Sequence, residues 1–134
     1  MIVWPKKKES AHYPVIGMLN DQGTLLGFAS YGPFRARPAY KYTIEHSVYV
    51  YTDHRKKSIA SKLMAELINT AKLQQYHFLV GGIDMANKGS IALHKKFGFT
   101  YAGTVQQAGF KFARWLDWGF YQQVLDTPAD PLDG

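Results

Sequence analysis

The chain has 134 residues and no cysteine, which suits a single domain over residues 1–134 and excludes disulfides, thiolate metal sites and a cysteine nucleophile. Its five histidines lack the spacing of metal ligands and no apolar run approaches the roughly 20 residues of a membrane span, so we expect a cytoplasmic protein with no metal and no membrane partner. The net charge of +6 and the pI near 9.5 indicate an anionic partner, and they leave nucleic acid, acidic lipid and a phosphorylated cofactor open.

The first part of the chain predicts an arm followed by a hairpin. Residues 1–12 are basic around one Trp and one Pro, which is typical of a helix end or a loose arm. Strands are predicted over 13–19 and 25–31, because the sequence N-D-Q-G at 20–23 has the residue types of a tight turn. The prolines, glycine and arginines of 32–40 predict a loop.

The middle of the chain predicts a strand that turns into a helix. The strand, 41–51, carries apolar or aromatic bulk on both faces, which is typical of a central strand. A cationic turn, R-K-K-S at 55–58, then precedes a helix, and free N–H groups and the dipole at a helix N-terminus favour an anion such as phosphate. The apolar stripe of this helix is predicted to consist of Ile59, Leu63, Leu67 and Ala71.

The last part of the chain predicts a parallel crossover and two more strands. An apolar strand over 77–83 follows the helix, and a second helix opens near Asn87 and ends at Gly98. Further strands are predicted over 100–108 and 118–125, joined by an aromatic and basic connection. The tail, 127–134, is predicted to be disordered. The inner side of the second helix is predicted to consist of Ile91, Ala92, Leu93 and Phe97.

Glu45 is the most informative single residue, because it is a carboxylate within a strand otherwise suited to burial. An ionised group in such a place is costly unless it has a partner or a task. If Glu45 is partly buried, as we expect, it becomes a stronger base and a candidate for proton removal. The alternative is a glutamate on a half-wet face of the sheet.

The order of these elements, with R-x-x-S-x-A at 55–60 and N-x-x-S-x-x-L-H-x-x-F-G-F at 87–99, resembles the GNAT acyltransferase superfamily. Within it, the runs YKYTIEHSVYV and GFKFARWLDWGFYQ are similar to the phosphinothricin N-acetyltransferase family, which includes methionine sulfone and sulfoximine acetyltransferases. The resemblance implies an α/β (α+β) three-layer fold. Its central sheet is mixed and mostly antiparallel, with a parallel strand pair at the cofactor cleft and helices packed on it.

The resemblance also implies an activity. Acetyl-CoA, as co-substrate, would pass its acetyl group to the primary amine of a small amino-acid-like substrate by direct attack in a ternary complex. Separately, we expect the protein to be a homodimer. The pyrophosphate would lie in the loop before the long helix, and the pantetheine arm along the edge of the central strand. The implied cofactor residues are Val48, Tyr49, Val50, Arg55, Lys56, Lys57, Ser58, Ile59, Ala60, Ser61, Asn87 and Lys96.

The family usually has glycine where this chain has Ser58, because backbone approaches phosphate closely there. Serine is small and caps helices well, so we expect the loop to keep its function with weaker affinity for the cofactor.

The resemblance assigns catalytic roles to Glu45 and His94. Glu45 would contact or deprotonate the acceptor amine through water, and His94 would protonate the departing CoA thiolate, where many members have a tyrosine. Three of the implied residues have simpler alternatives. His94 could be an ordinary surface or packed histidine, Asn87 could cap the helix with or without a role in binding, and Lys96 could be only a surface charge.

Acceptor binding is assigned to the loop FRARPAY, because the arginine fork binds two carboxylate oxygens at once. The implied substrate residues are Arg35, Ala36, Arg37, Glu45 and Asn87. Aromatic and basic residues of 110–115 would wall the pocket, form a dimer contact or lie in the core.

The family has a strand and two helices ahead of the hairpin, where this chain has residues 1–12. We therefore expect the edge of the strand 13–19 to be covered by residues 1–12 or paired in an oligomer. Two alternative functions are a CoA-binding sensor without turnover and, less favoured, a basic nucleic-acid-binding module, which no RNP, KH or helix-turn-helix pattern supports.

Overall fold

The computed structural model describes residues 2–4, 13–51 and 58–133, and these form a seven-stranded mixed sheet with two helices. The strand order is β1-β2-β3-β4-β5-β7-β6, in which only β4 and β5 are parallel neighbours within the described chain. A mixed sheet with one parallel pair confirms the expected fold class. The elements are β1 (Ile2–Trp4), β2 (Val15–Leu19), β3 (Leu25–Pro33), β4 (Thr43–Val50), α1 (Ile59–Leu73), β5 (Phe78–Asp84), α2 (Lys88–Lys96), β6 (Thr100–Lys111) and β7 (Arg114–Val124), with a 3₁₀ turn at Pro38–Tyr40.

The edge of β2 is covered by the start of the chain. β1 pairs antiparallel with it, with Val3 opposite Ile16, which confirms the expectation that residues 1–12 cover this edge. Trp4 therefore ends a strand, and residues 5–12, expected to be a helix end or loose arm, lie outside the described residues. The β2–β3 turn is as predicted: the side-chain oxygen of Asn20 accepts hydrogen bonds from the N–H groups of Gln22 and Thr24.

Helix α1 packs across β2, β3 and β4 through one apolar stripe. Its buried residues are Ile59, Leu63, Met64, Leu67 and Ala71, which include all four predicted positions. They form the main core with Ile16, Ala29, Ile44 and Leu79 of the sheet. Burial of each large aliphatic side chain contributes about 1.5–3 kcal/mol, which makes this stripe the principal attachment of α1.

Helix α2 is capped as predicted and packs on the core, but it also buries one residue that was not predicted. The side chain of Asn87 accepts a hydrogen bond from the N–H of Ser90 at 3.0 Å, and Gly98 takes a left-handed φ of 87° after the last turn. Of the predicted inner residues, Ile91, Leu93 and Phe97 pack against the core, whereas Ala92 is exposed and His94 is buried. An imidazole takes the inner position because it has a polar partner there, described below.

The stretch 109–115 was predicted to be a connection between two strands. It is instead the end of a long hairpin. β6 runs to Lys111 and β7 starts at Arg114, and only Phe112 and Ala113 form the turn, with φ of 55° and 58°. Two successive positive φ values are the mark of a type I′ turn, which matches the twist of the two strands.

The predicted disorder of the tail is also wrong for residues 127–133. The Thr127 hydroxyl and carbonyl bond to Tyr76 and His77, and further on the N–H of Leu132 donates to the Tyr42 hydroxyl at 3.0 Å. These bonds hold the tail against the start of β4, where Lys41 also reaches the carbonyl of Asp133.

Candidate functional site

The parallel strands β4 and β5 separate partway along their length. Their register contains Thr43 opposite Phe78, Ile44 opposite Leu79 and Glu45 opposite Val80, and it ends there. β4 continues beside β3 as far as Val50, while β5 continues beside β7. The separation opens a cleft in the sheet between the starts of α1 and α2.

A cavity of about 360 Å³ occupies this cleft. β4 contributes one wall, α1 contributes Ala60, and the first turns of α2 contribute the opposite wall. Its lining residues are Val48, Tyr49, Val50, Ala60, Asn87, Gly89, Ser90 and Leu93. Five of the implied cofactor residues, on three different elements, therefore meet at one cavity.

Ser58, the residue before α1, has a backbone conformation that favours glycine. Ser58 precedes the helix with φ 57° and ψ 20°, in the left-handed region, and its side chain makes no cap hydrogen bond. This conformation gives a physical reason for glycine at this place, since a side chain there costs roughly 1–2 kcal/mol. Arg55, Lys56 and Lys57, the cationic part of the implied phosphate loop, lie outside the described residues.

Lys96 connects the two helices at this end of the cleft. Its Nζ donates a hydrogen bond to Oγ of Ser61 at 3.1 Å, so two implied cofactor residues that are far apart in sequence are adjacent. The lysine places a positive charge beside the N-terminal turn of α1, where unpaired backbone N–H groups also favour an anion.

A second cavity, of about 320 Å³, lies along the preceding part of β4. Its lining residues are Ser30, Tyr31, Gly32, Pro33, Glu45, His46, Ser47, Gly82 and Trp118. β4 thus gives residues 45–47 to this cavity and residues 48–50 to the cofactor cleft, so the two spaces follow one another along one strand.

Glu45 is in this second cavity but it is exposed, not partly buried as expected. Side chains alternate along β4, so Ile44 and His46 face the helices and Glu45 shares the other face with Ser47. The carboxylate therefore stays in contact with water while it faces the cavity, and its role as a base stays a prediction.

The implied acceptor loop is not part of this cavity. The guanidinium of Arg35 lies over the Phe34 ring at 4.1 Å and donates to the Phe34 carbonyl at 2.8 Å. Ala36 and Arg37 are exposed, and no residue of 35–37 is among the described residues that line the cavity. Carboxylate binding by Arg35 and Arg37 therefore stays a prediction.

Trp118 and Tyr31 line the second cavity although sequence reasoning did not select them. The indole of Trp118 lies over Gly82, where a Cβ would overlap its Nε1. Burial raises the pKa of Tyr31 well above its ordinary value, and its hydroxyl bonds to Gln74, so it is a neutral wall of the cavity. A glycine pair, G-G at 81–82, was the signal in the sequence for close approach by side chains.

His46 and His94 form a buried pair beside both cavities. Each residue is 5% exposed, the ring centroids are 5.1 Å apart in a stacked arrangement, and Nε2 of one ring lies 2.9 Å from Nε2 of the other. Nδ1 of His94 lies 2.8 Å from the carbonyl oxygen of Ser90. The pKa of His46 is lowered to about 3, mainly by burial and to a smaller extent by the neighbouring His94 ring. Burial also lowers the pKa of His94.

The described residues contain no group of three or more His, Cys, Asp or Glu side chains arranged to hold a metal ion. Over the same ranges, the helices include none long and apolar enough to cross a membrane.

Comparison with known proteins identifies relatives of this chain. The model of the Acetyltransferase (GNAT) family matches residues 2–99. An L-methionine sulfoximine/L-methionine sulfone acetyltransferase of Salmonella typhimurium is 39% identical over 130 residues, which are 97% of this chain and 75% of that protein. An L-amino acid N-acyltransferase of Escherichia coli is 38% identical with the same coverage. A phosphinothricin acetyltransferase from Sinorhizobium meliloti, solved in complex with acetyl-CoA, superimposes with a TM-score of 0.82 at 34% identity, covering 89% of this chain and 65% of that one.

Proposed function

Because this chain belongs to the GNAT acetyltransferase family, we propose that it transfers the acetyl group of acetyl-CoA to the primary amine of a small amino-acid-like substrate. Substrates of the methionine sulfone, methionine sulfoximine and phosphinothricin type are the first choice, since relatives carry these names. The observation that carries the proposal is the separation of β4 from β5, which opens a cleft next to a second cavity along β4.

The cleft holds the acetyl-CoA. The pantetheine arm lies along Val48, Tyr49 and Val50 as an added strand would, and the phosphates lie at the start of α1 near Ser61 and Lys96. Arg55, Lys56 and Lys57 precede α1 in the sequence and add positive charge. The thioester then lies near the point where the strands separate, at the border of the second cavity.

The second cavity holds the acceptor amine. The neutral amine nitrogen attacks the thioester carbonyl carbon, and backbone N–H groups polarise the carbonyl. The C–S bond then breaks, and the CoA thiolate leaves and takes up the proton that the attacking nitrogen loses as the amide forms. Glu45, the carboxylate of this cavity, accepts the proton that the ammonium group loses, directly or through water. The other role that the resemblance implies, His94 as the acid for the thiolate, stays a prediction, because both of its ring nitrogens are bonded inside the protein.

A thiol-release assay with acetyl-CoA and methionine sulfone, methionine sulfoximine or phosphinothricin tests the activity. We expect Glu45→Gln to lower kcat/KM by about 10²–10⁴-fold, the usual contribution of a general base. Glu66→Gln, which removes a carboxylate from α1 away from both cavities, is the matched control and should behave like the parent. Equal rates for Glu45→Gln and the parent would remove the base from the proposal.

The same experiment separates the alternative functions. If no amine in a broad panel releases CoA while acetyl-CoA still raises the melting temperature, the chain is a CoA-binding sensor. A saturating specific ligand stabilises a fold by about 3–4 kcal/mol. Stabilisation by single-stranded RNA and not by acetyl-CoA would instead indicate a nucleic-acid-binding module.

We also propose that the enzyme is a homodimer that works in the cytoplasm, where acetyl-CoA is available. The support for a dimer is the β6–β7 hairpin, which exposes Val105, Phe110, Phe112 and Trp115, with the Phe112 ring 78% exposed. Exposed aromatic groups of this kind mark interaction surfaces. Size-exclusion chromatography with light scattering should show a dimer that Phe112→Asn weakens, because asparagine keeps the left-handed turn and removes the ring. Leu132→Asn removes another exposed apolar side chain and should leave the dimer intact; a monomeric parent would contradict the proposal.

A further inference from the structure

The hydrogen bonds of the buried histidine pair fix where each proton lies. The Ser90 carbonyl oxygen can only accept, so Nδ1 of His94 must carry the hydrogen that joins them at 2.8 Å. In neutral His94, Nε2 is then an acceptor. Nε2 of His46, 2.9 Å away, must therefore be the donor of the bond between the rings.

The same reasoning leaves one nitrogen of the pair without a partner. If His46 carries its hydrogen on Nε2, its Nδ1 has no hydrogen and can only accept a hydrogen bond. This atom is buried and has no hydrogen-bond partner among the described residues. A lone pair is the less costly group to leave in such a place, whereas an N–H there would be an unsatisfied buried donor, at a cost of about 1–3 kcal/mol. The surroundings therefore favour the same tautomer of His46 as the bond to His94 does.

We propose that His46 is a positioning residue that keeps His94 neutral and protonated on Nδ1, so that His94 can gain a proton only when His46 changes tautomer. A proton that binds Nε2 of His94 would meet the N–H of His46. To remove this conflict, the His46 hydrogen must move from Nε2 to Nδ1, and the pair then carries one extra proton and a charge of +1. The change places an N–H at the partnerless Nδ1, which is why it is unfavourable.

The groups that face the pair do not offset this cost. Phe99 packs against both rings at 5.0 Å, and Gly81 of β5 lies under them without a side chain. The titratable group that faces the pair from β7 is Tyr121, whose ring lies 6.2 Å from that of His94. Glu45, the nearest carboxylate along β4, is on the opposite face of the strand. The pair therefore has no described carboxylate that would hold it in a charged form.

This inference deepens the proposed function, since it concerns when His94 could act as an acid, but its first test does not depend on turnover. Two-bond ¹H–¹⁵N NMR spectra of the ¹⁵N-histidine-labelled protein report the tautomer of each ring, with signals assigned through His46→Gln and His94→Gln. At pH 7 we expect His94 to be protonated on Nδ1 and His46 on Nε2, both neutral. A His94 protonated on Nε2, or a charged ring in either position, would overturn the proposal.

Variants of His46 supply the second test. His46→Gln can place an amide N–H near the position of Nε2 and keep the bond to His94, whereas His46→Leu removes the donor. In His46→Leu, we expect the NMR titration of His94 to move upward by about one pH unit or more, because Nε2 is freed to accept a proton. The pH profile of kcat/KM for acetyl-CoA should gain an inflection at the same pH, and His46→Gln should keep the profile of the parent.

The two kinds of failure are distinguishable. Absence of CoA release by the parent, with the expected tautomers present, would contradict the proposed function and leave the histidine assignment in place. A His46→Leu variant with the parent's His94 titration and pH profile would show that His46 does not control His94. If His46→Leu does not fold, the tautomers of the parent still decide the question.

Discussion

Adding one methyl group at Gly81, on the neighbouring strand β5, should push against both rings of the histidine pair. A Cβ built on Gly81 would lie 2.7 Å from Nε2 and 2.9 Å from Cε1 of His46, and 3.2 Å from Nε2 of His94. Both rings are buried against Phe99, so they cannot move away without displacing it. Gly81→Ala therefore combines overpacking, at about 1–3 kcal/mol, with a strained or broken hydrogen bond, at about 1 kcal/mol. We expect a total loss of about 2–4 kcal/mol in the free energy of unfolding.

Urea unfolding followed by tryptophan fluorescence and circular dichroism measures this loss, and a thermal melt should show a lower Tm by roughly 6–15 °C. Gly109→Ala is the matched control in β6, because its Cβ would meet Leu116 at an ordinary 3.8 Å. We expect it to stay within about 0.5 kcal/mol of the parent. Since Ser90 and Leu93 of α2 line the cofactor cleft, Gly81→Ala should also weaken acetyl-CoA binding. A Gly81→Ala protein as stable as the control would refute the close packing on which the pair depends.

Three further predictions concern pH, backbone strain and charge. Burial lowers the pKa of His46 to about 3, below the ordinary 6.5, so the unfolded chain binds this proton more readily than the folded protein does. The contribution of neutral His46 to the free energy of unfolding is therefore fully present above about pH 6.5. It is lost as the pH falls towards 3, by up to about 1.4 kcal/mol per pH unit. Urea unfolding between pH 7 and pH 4 should show a smaller loss for His46→Gln, and equal slopes would contradict this. Ser58→Gly relieves a left-handed φ at the start of α1, and we expect tighter acetyl-CoA binding by calorimetry, whereas Gln75→Gly, with a similar φ of 65° far from the cleft, should not change affinity. Lys96→Met should weaken acetyl-CoA binding by about 5-fold, the effect of roughly 1 kcal/mol, and Lys95→Met, on the same helix but outside this contact, should not.

Local patterns in the sequence were sufficient for most of the fold. The spacing of Ile59, Leu63, Leu67 and Ala71 predicted the buried face of α1 correctly, because a helix that packs on a sheet needs one continuous stripe. The expectation that the edge of the strand 13–19 must be covered rested on the cost of an exposed strand edge and not on residue propensities. β1 covers this edge.

The errors arose where tertiary contacts override a local pattern or where one local pattern was given more weight than another. Phe112 and Ala113 have none of the Asn-Gly chemistry of a type I′ turn, so the pairing of β6 with β7 beyond 108 could not be seen locally. Glu45 was expected to be partly buried from the apolar character of its strand, although the alternation of β4 places it with Thr43 and Ser47 on the polar face. The expected inner face of α2 missed His94, because its partner His46 is 48 residues away in sequence.

The histidine pair and the cofactor cleft have a common origin in the sheet. The last parallel pair of β4 and β5 is Glu45 opposite Val80, and the next residues along the two strands are His46 and Gly81. The His46 ring lies over Gly81 at the place where the register would continue, and there it bonds to α2, whose Ser90 and Leu93 line the cleft. The ring therefore occupies the space at which the strands part and ties one wall of the cleft to β4. A substitution that removes the His46 hydrogen bond should for this reason affect acetyl-CoA affinity as well as proton placement, even though the imidazole does not line the cofactor cavity.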